Sequence, residues 1–268
     1  MEDIQGRTDQ RGVPIDRVGI REIKYPITVL DREMGSQSTI ASINMYVDLS
    51  PRFKGTHMSR FIEILNEHKE NFEVRKFAKI VHDMRKRFDS RSAHLELTFP
   101  YFIKRLAPVS KSPSLMEYTA HIHISSKDST ATDIIVGVSV PITTVCPCSK
   151  EISEIGAHNQ RSILTIKIRM DDFVWIEEMI ELAEECASCE IYPLLKREDE
   201  KFVTEKAHRN PVFVEDVVRN AAVKLKDDMR VRWFHVEAEA MESIHNHNAY
   251  ASLEWDRNNK TETGSGPE

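Results

Sequence analysis

The sequence predicts an α+β protein built of two similar modules, each with an antiparallel sheet and helices on one face. Three observations support this class: strand-like segments come in pairs, two amphipathic helices separate the pairs, and both halves repeat this order. Each half is therefore expected to run strand, strand, helix, helix, strand, strand. We predict a first module at 17–128 and a second at 129–257, between a disordered arm, 1–16, and a disordered tail, 258–268.

Four segments of the first half have the alternation typical of strands: 21–31, 38–50, 93–105 and 114–126. In the second of them, Ile43, Met45 and Val47 alternate with polar residues, and DREMG before it is a plausible hairpin connection. Two helices are predicted between the second and third strands. One begins near Met58, and one near Asn71. Their apolar stripes comprise Phe61, Ile62 and Leu65, and then Val74, Phe77, Val81, Met84 and Phe88.

The second half has predicted strands at 133–144, 162–170, 230–241 and 247–255. The helix after the second strand is marked by apolar residues at helical spacing, and a further helix follows a polar stretch. The two stripes comprise Phe173, Ile176, Ile180, Ala183 and Ala187, and then Val214, Val217, Ala221 and Leu225. We predict that this second module carries most of the catalytic residues.

Composition limits the possible partners and location of the protein. The net charge is -6 and the basic residues are scattered, which argues against nucleic-acid binding but leaves room for a local phosphate pocket. No apolar run approaches the roughly 20 residues of a membrane span, and the polar N-terminus lacks the apolar core of a signal peptide. We therefore expect a cytoplasmic protein whose four cysteines are reduced.

The stretch VCPCSKEISEIGAHNQRS, at 145–162, has the highest density of reactive side chains. Pro147 is expected to hold Cys146 and Cys148 in an extended turn at the end of a strand, with His158 a short loop away. One thiol then suits a metal ligand and the other a nucleophile or acid. The alternative is a pair of small packing residues and a surface histidine.

Four further polar clusters are candidates, each with a structural alternative. Glu242, His245 and His247 precede a strand and suit a metal or phosphate, unless they form a solvated hairpin. LKREDEKFVTE is interpreted as a polar connection in which Glu200 or Glu205 offers a carboxylate, unless it is a solvated charge run. The other two clusters lie at predicted helix starts.

The predicted start at Asn210 and Pro211 places Glu215 and Asp216 in a first turn, where acids either complement the helix dipole or bind an amidine-like edge such as that of guanine. At the other start Thr56 is a suitable cap. His57 and Arg60 there are placed to reach an anion at the helix N-terminus.

The four cysteines also form a C-x-C…C-x-x-C pattern, which allows a structural zinc site with four thiolates. Cys186 and Cys189, however, lie at the end of an amphipathic helix, where they suit packing. No short-finger pattern surrounds them, and a chain of this length needs no metal staple.

Six motifs resemble signatures of the prokaryotic GTP cyclohydrolase type IB family, in family order from about residue 17 to 256. They are YPITVLD, MYVDLSPRFKGTHMSRF, CPCSKEISEIGAHNQRS, EECASCEIYPLLKREDEKFVTE, NPVFVED and HVEAEAMESIHNHNAYA. The resemblance implies a tunnelling fold with two fused ββααββ modules, assembled into an oligomeric barrel. It also implies a homotetramer with active sites at subunit interfaces.

The implied reaction is the metal-dependent hydrolytic opening of the guanine imidazole ring of GTP. It yields 7,8-dihydroneopterin triphosphate and formate, the entry to folate, pterin and deazaguanine products. Manganese, iron and zinc are all expected to support it, because a divalent ion supplies hydroxide near neutral pH.

The resemblance also implies a role for each candidate residue. Cys146, His158 and Glu200 resemble the metal ligands, with Glu242 near the metal, and Cys148 resembles the catalytic cysteine near carbon 8 of the purine. Glu215 resembles the glutamate that anchors the purine through two hydrogen bonds. His245 and His247 are expected to transfer protons or to contact ribose and phosphates. The triphosphate is expected to bind cationic side chains, with the candidates Lys150, Arg161, His57, Lys54 and Arg60.

Two alternative functions remain open at this point. One is another tunnelling-fold enzyme with a cysteine and an anchoring glutamate, the nitrile reductase that uses NADPH and no metal. The other is a non-catalytic metal-binding or assembly protein. Release of formate, oxidation of NADPH, and the effect of Cys148→Ala distinguish the three.

Overall fold

The first two strands form a long hairpin in which period-two alternation sets the buried face. In the computed structural model, which describes residues 4–68, 76–128 and 132–258, β1 (Ile15–Asp31) pairs antiparallel with β2 (Gly35–Leu49). The side chains of Ile43, Met45 and Val47 are buried, and the polar residues between them lie on the other face. The predicted DREMG connection is confirmed as the turn of this hairpin.

The chain clusters into two compact units, which we describe separately. Unit 1 comprises residues 1–100 and 121–135, and unit 2 comprises 101–120 and 136–268. The predicted module boundaries at 17–128 and 129–257 remain a prediction.

Unit 1 contains the first hairpin, α1 (Ser59–Glu67), α2 (Phe77–Phe88), and parts of β3 (Ser92–Leu106) and β4 (Pro113–Lys127). The buried face of α1 is formed by Phe61, Ile64 and Leu65. Ile62 is partly exposed, so the predicted stripe was wrong in that one residue. The predicted start of α2 at Asn71, and Val74 with it, lie outside the described residues. The stripe of Phe77, Val81 and Met84 is confirmed as buried.

Unit 2 is built on an antiparallel sheet in the order β5 (Asp133–Val145, of which unit 2 contains Val136 onward), β6 (Asn159–Met170), β8 (Val231–Ala240) and β9 (Ala249–Asp256). A two-residue strand, β7 (Cys189–Glu190), pairs with β5. The register of β6 and β8 places Leu164 opposite Ala238 and Ile166 opposite Val236, all buried. The predicted α+β class with antiparallel strands is confirmed.

Four helices of unit 2 lie within the described residues: α3 (Pro147–Ile152), α4 (Ile176–Glu185), α5 (Arg197–Arg209) and α6 (Val214–Asp227). The predicted helices α4 and α6 are confirmed, and they pack on β6, β8 and β9. Neither α3 nor α5 was predicted. The part of the chain that the structure describes contains no helix with the length and apolar character needed to cross a membrane.

Candidate functional site

The start of α3 determines where the two cysteines lie. Cys146 is the N-cap residue, and its Sγ accepts a hydrogen bond from the Ser149 amide at 3.4 Å. Pro147 occupies the first helical position, where the missing N–H of proline has no cost. The predicted extended turn was therefore wrong, because Cys148 lies in a helical turn. Cys148 is exposed and Cys146 half-buried.

Backbone pairing brings His158 next to Cys146. The Cys146 amide donates to the His158 carbonyl at 3.1 Å. Ser149 links the two residues a second time: its Oγ accepts from the His158 amide and donates to the Cys146 carbonyl, each at 3.2 Å. The loop from α3 to β6 thus brings His158 next to Cys146, the residue that follows the end of β5.

The same loop is attached to the C-terminal end of α5 through His208. The Ala157 amide donates to His208 Nε2 at 3.2 Å, and Lys150 Nζ donates to the His208 carbonyl at 2.5 Å. Lys150 complements the helix dipole there. Gly156 has a left-handed φ of 91°, and a Cβ at this residue would lie 3.2 Å from His208 Nε2.

A cavity of about 280 Å³ in unit 2, here called the cysteine–histidine cavity, collects most of the predicted site. Six of the residues that the sequence predicts line it: Cys146, His158, Glu215, Glu242, His245 and His247. They come from the N-cap of α3, the start of β6, the first turn of α6 and the loop between β8 and β9. Residues of three sequence motifs, carried by these four parts of the fold, therefore meet at one concave surface.

The polar side chains of this cavity are connected by hydrogen bonds. His158 Nδ1 lies 3.0 Å from Gln160 Oε1 and 3.4 Å from Ser243 Oγ, and Gln160 Nε2 donates to Glu242 Oε1 at 3.4 Å. The rings of His245 and His247 are stacked, with centroids 5.1 Å apart, and both side chains are exposed.

At the start of α6 the two acidic residues have different roles. Phe213 is the N-cap residue, and its amide donates to Asp216 Oδ2 at 3.1 Å. The prediction that this helix starts at Asn210 was wrong, because Asn210 is the C-cap of α5. Since Asp216 provides the capping bond, Glu215 is left to line the cavity, where its side chain is exposed in the single chain.

A second cavity in unit 2, about 410 Å³ and here called the tyrosine cavity, contains Arg161 and Tyr192. Burial raises the pKa of Tyr192 to about 12. Glu190, on the same wall, accepts two hydrogen bonds from Lys206 Nζ, both at 2.6 Å. Burial acts to raise the pKa of Glu190, but the hydrogen bonds from Lys206 outweigh it and lower the pKa.

Some predicted residues do not line the cysteine–histidine cavity. Cys148, Lys150 and Glu200 belong to unit 2 but lie outside its lining, and all three are exposed. The interpretation of LKREDEKFVTE as an irregular connection was wrong, since most of it forms α5, with Glu200 in the first turn. The roles of these residues, and of Arg161, remain predictions.

Lys54, His57 and Arg60 belong to unit 1, where the first two precede α1 and Arg60 lies in its first turn. The predicted cap at Thr56 was wrong: Met58 is the N-cap residue, and Thr56 is buried with its carbonyl accepting from Gln5 Nε2 at 3.0 Å.

The second cysteine pair is part of the core. Cys186 and Cys189 are 1% and 2% exposed, and burial raises their pKa values to about 11 and about 12. Cys189 packs with Val145 and Ala207. Across the described residues no three His, Cys, Asp or Glu side chains are grouped closely enough to hold a metal. The structure therefore gives no support to a four-cysteine zinc site.

Three residues that position the site were missed from the sequence: Ser149, Gln160 and His208. The cap at Cys146 followed by Pro147 is a signal for a helix start, and it would have indicated the role of Ser149. Acids in the first turn and bases in the last turn would likewise have indicated α5 and its terminal His208. No local signal identifies Gln160, because its partners depend on the tertiary fold.

The solved structures with a similar fold include urate oxidases. The uricase from Arthrobacter globiformis has a TM-score of 0.55 at 6% identity, covering 94% of this chain and 96% of that one. A uricase from Bacillus fastidious has a TM-score of 0.55 at 8% identity, with 90% and 93% covered. At these identities the likeness shows the fold alone.

The sequence comparison is more specific. Residues 1–251 match the family described as type I GTP cyclohydrolase folE2. GTP cyclohydrolase FolE2 of Citrifermentans bemidjiense is 53% identical over 257 residues, 96% of each chain. The protein of the same name from Geobacter sulfurreducens is 52% identical over 257 residues, 96% of this chain and 99% of that one. This chain belongs to the GTP cyclohydrolase FolE2 family.

Proposed function

We propose that this protein is a GTP cyclohydrolase I, which hydrolyses the imidazole ring of GTP to give 7,8-dihydroneopterin triphosphate and formate. This is the first step of tetrahydrofolate, pterin and deazaguanine biosynthesis. Membership of the family supports the proposal. The observation that carries it is the meeting of a thiol, an imidazole, two carboxylates and two further histidines in one cavity.

Two donors in the cysteine–histidine cavity fit a divalent metal such as Mn, Fe or Zn. Cys146 offers a sulfur, and His158 offers Nε2 because its Nδ1 is engaged by Gln160 and Ser243. The proposed third ligand is the exposed Glu200, with Glu242 close by. When held by these residues, such an ion would supply hydroxide near neutral pH, the nucleophile that opening of the ring at carbon 8 requires.

The remaining side chains bind GTP and move protons. Glu215 accepts hydrogen bonds from the ring N–H and exocyclic amine of guanine, which selects guanine because another base leaves the carboxylate without donors. Cys148 acts at carbon 8 as an acid–base or covalent group. His245 and His247 transfer protons or contact the ribose. Cationic side chains bind the triphosphate: Lys150, Arg161, His57, Lys54 and Arg60.

We further propose the tunnelling fold with two fused modules, and a cytoplasmic homotetramer whose active sites lie at subunit interfaces. Two observations on the single chain support interface sites. The carboxylate of Glu215 and both histidines are exposed, and no third metal ligand stands beside Cys146 and His158 within the described residues. A neighbouring subunit would cover these exposed side chains, exclude water and fix the proposed third ligand, Glu200, beside Cys146 and His158.

Incubation with GTP and Mn(II) tests the function. We expect formate and, after oxidation, a fluorescent pterin. A parallel incubation with NADPH tests the nitrile reductase alternative, and we expect no NADPH oxidation. If no formate is released with Mn(II), with Fe(II) or with Zn(II), the proposed function is wrong. Bound metal without turnover would instead indicate a metal-binding protein.

A further inference from the structure

Gln160 lies between a carboxylate and an imidazole of the cysteine–histidine cavity. Its Nε2 is 3.4 Å from Glu242 Oε1, and its Oε1 is 3.0 Å from His158 Nδ1. A carboxylate only accepts hydrogen bonds, so the amide NH₂ of Gln160 must face Glu242. The amide oxygen then faces His158.

This orientation determines which nitrogen of His158 carries the proton. An amide oxygen only accepts, so His158 Nδ1 must donate to it. Ser243 Oγ, 3.4 Å from the same nitrogen, can accept as well. Nε2 of the neutral ring therefore keeps its lone pair. In the opposite tautomer, Nδ1 and Gln160 Oε1 would face each other as two acceptors.

We propose that Gln160 is a positioning residue that holds His158 in the Nδ1–H tautomer and so prepares Nε2 to bind the divalent metal. The inference rests on the proposed function, and it adds a residue outside the predicted ligand set. Metal-binding histidines commonly donate their other N–H to a fixed acceptor, and loss of that acceptor typically weakens metal affinity by about 10–100-fold. Glu242 contributes indirectly, because it accepts a hydrogen bond from the amide of Gln160 and so orients it.

The test measures Co(II) binding to the metal-free protein, from the absorption of the thiolate–cobalt bond and by competition with a chelator. Gln160→Met has similar length but no comparable acceptor, and we expect about 10–100-fold weaker binding. Gln160→Glu keeps an acceptor for Nδ1–H but loses the donor to Glu242, and we expect a smaller loss of affinity than in Gln160→Met. Asn159→Ala, on the same strand and lining the tyrosine cavity but not the cysteine–histidine cavity, is the control and should bind as wild type.

Nitrogen NMR of protein labelled with ¹⁵N-histidine reports the tautomer in the metal-free wild type, where Gln160 is unchanged. We expect His158, assigned by the signal lost in His158→Asn, to carry its proton on Nδ1. A proton on Nε2, or a Gln160→Met protein that binds Co(II) as tightly as wild type, would overturn the inference while formate release still supports the function. A wild type that neither binds Co(II) nor releases formate would overturn both.

Discussion

The segment 145–162 and the segment 186–206 contain the same kinds of side chain, two cysteines with acids and bases, in different surroundings. In the first, Cys146 and His158 line a cavity and Cys148 is exposed. In the second, Cys186 and Cys189 are in the core and Glu190 is paired with Lys206. The second segment supports the first, because Cys189 packs under Val145, the residue before Cys146. Residue type alone therefore does not determine whether a side chain lies in the core or faces a cavity; its position relative to the buried end of β5 does.

The largest expected difference between the segments is in activity. Cys148→Ala should reduce turnover of GTP by about 10³-fold, because the variant loses the group that we propose to act at the reacting carbon. Bound metal should be retained. Cys186→Ala should leave turnover unchanged and cost only about 1 kcal/mol of stability, the loss of a small buried group. Formate release and metal analysis of both variants provide the comparison, and equal activity would refute the assignment of Cys148.

Cys146→Ala separates the two thiols of the first segment. We expect loss of both turnover and bound metal, since the proposed ligand set loses its sulfur. Metal content is measured by elemental analysis after gel filtration. Full metal content in this variant would show that Cys146 is not a ligand.

Thiol labelling is expected to differ by about 100-fold or more between the segments at neutral pH. Burial raises the pKa of Cys186 from 9.0 to about 11 and that of Cys189 to about 12, so their thiolate fractions fall by at least about two orders of magnitude. The exposed Cys148 should react first with iodoacetamide, as followed by peptide mass spectrometry. Early labelling of Cys186 would contradict its buried position.

Asp199 should have the next largest effect, on thermal stability. It is 0% exposed, and it accepts hydrogen bonds from the Val109, Ser110 and Lys196 amides and from Ser110 Oγ. Asp199→Asn replaces one carboxylate oxygen by an NH₂ group, which would face hydrogen-bond donors and leave them unpaired. We expect the melting temperature to fall by about 5–10 °C. Glu198→Gln, an exposed acid of the same helical turn, is the control and should change little.

The same residue predicts a pH dependence. Burial acts to raise the pKa of Asp199, but its hydrogen bonds outweigh burial and hold the pKa below the ordinary 3.8. Its contribution to stability is therefore present at neutral pH and is lost as pH falls below about 4. Melting curves from pH 7 to pH 3 should show a steeper loss for wild type than for Asp199→Asn.

The smallest expected change in stability follows from loss of the ion pair between Glu190 and Lys206. The Lys206 side chain is 40% exposed, so solvent screens the pair. Lys206→Met should lower the free energy of unfolding, measured by urea denaturation, by about 1 kcal/mol or less. Lys201→Met, which removes a more exposed partner of Glu205, should cost less still. A larger loss at Lys206 would show that the pair is coupled to the wall of the tyrosine cavity.

Much of the sheet could be predicted from the sequence because alternation along strands such as β2 and β6 is a local property. The helices α4 and α6 could be predicted for the same reason, from apolar residues at helical spacing. The helix α5 could not be predicted in this way, since only Asp199 and Ala207 of its residues are buried and it has no apolar stripe. The α3 helix is too short for any periodicity.

The part of the candidate site that could be predicted consists of residues that lie in recognisable sequence motifs. Cys146, His158, Glu215, Glu242, His245 and His247 were all identified, and the fold brings them together. The role of Gln160 depends on the distance between β6 and the loop after β8, which are separated by about 80 residues of sequence. Contacts of that range follow from tertiary packing and leave no local pattern.

Gly156 and His208 set a steric limit on how this loop can vary. A side chain at residue 156 would meet both a left-handed backbone and the His208 ring, 3.2 Å from its Cβ. Replacement of Gly156 would strain the backbone and displace the His208 ring by a few tenths of an ångström, and replacement of His208 would leave the Ala157 amide without this acceptor. Because neither change compensates for the other, both positions should tolerate few substitutions in a random library, singly or together.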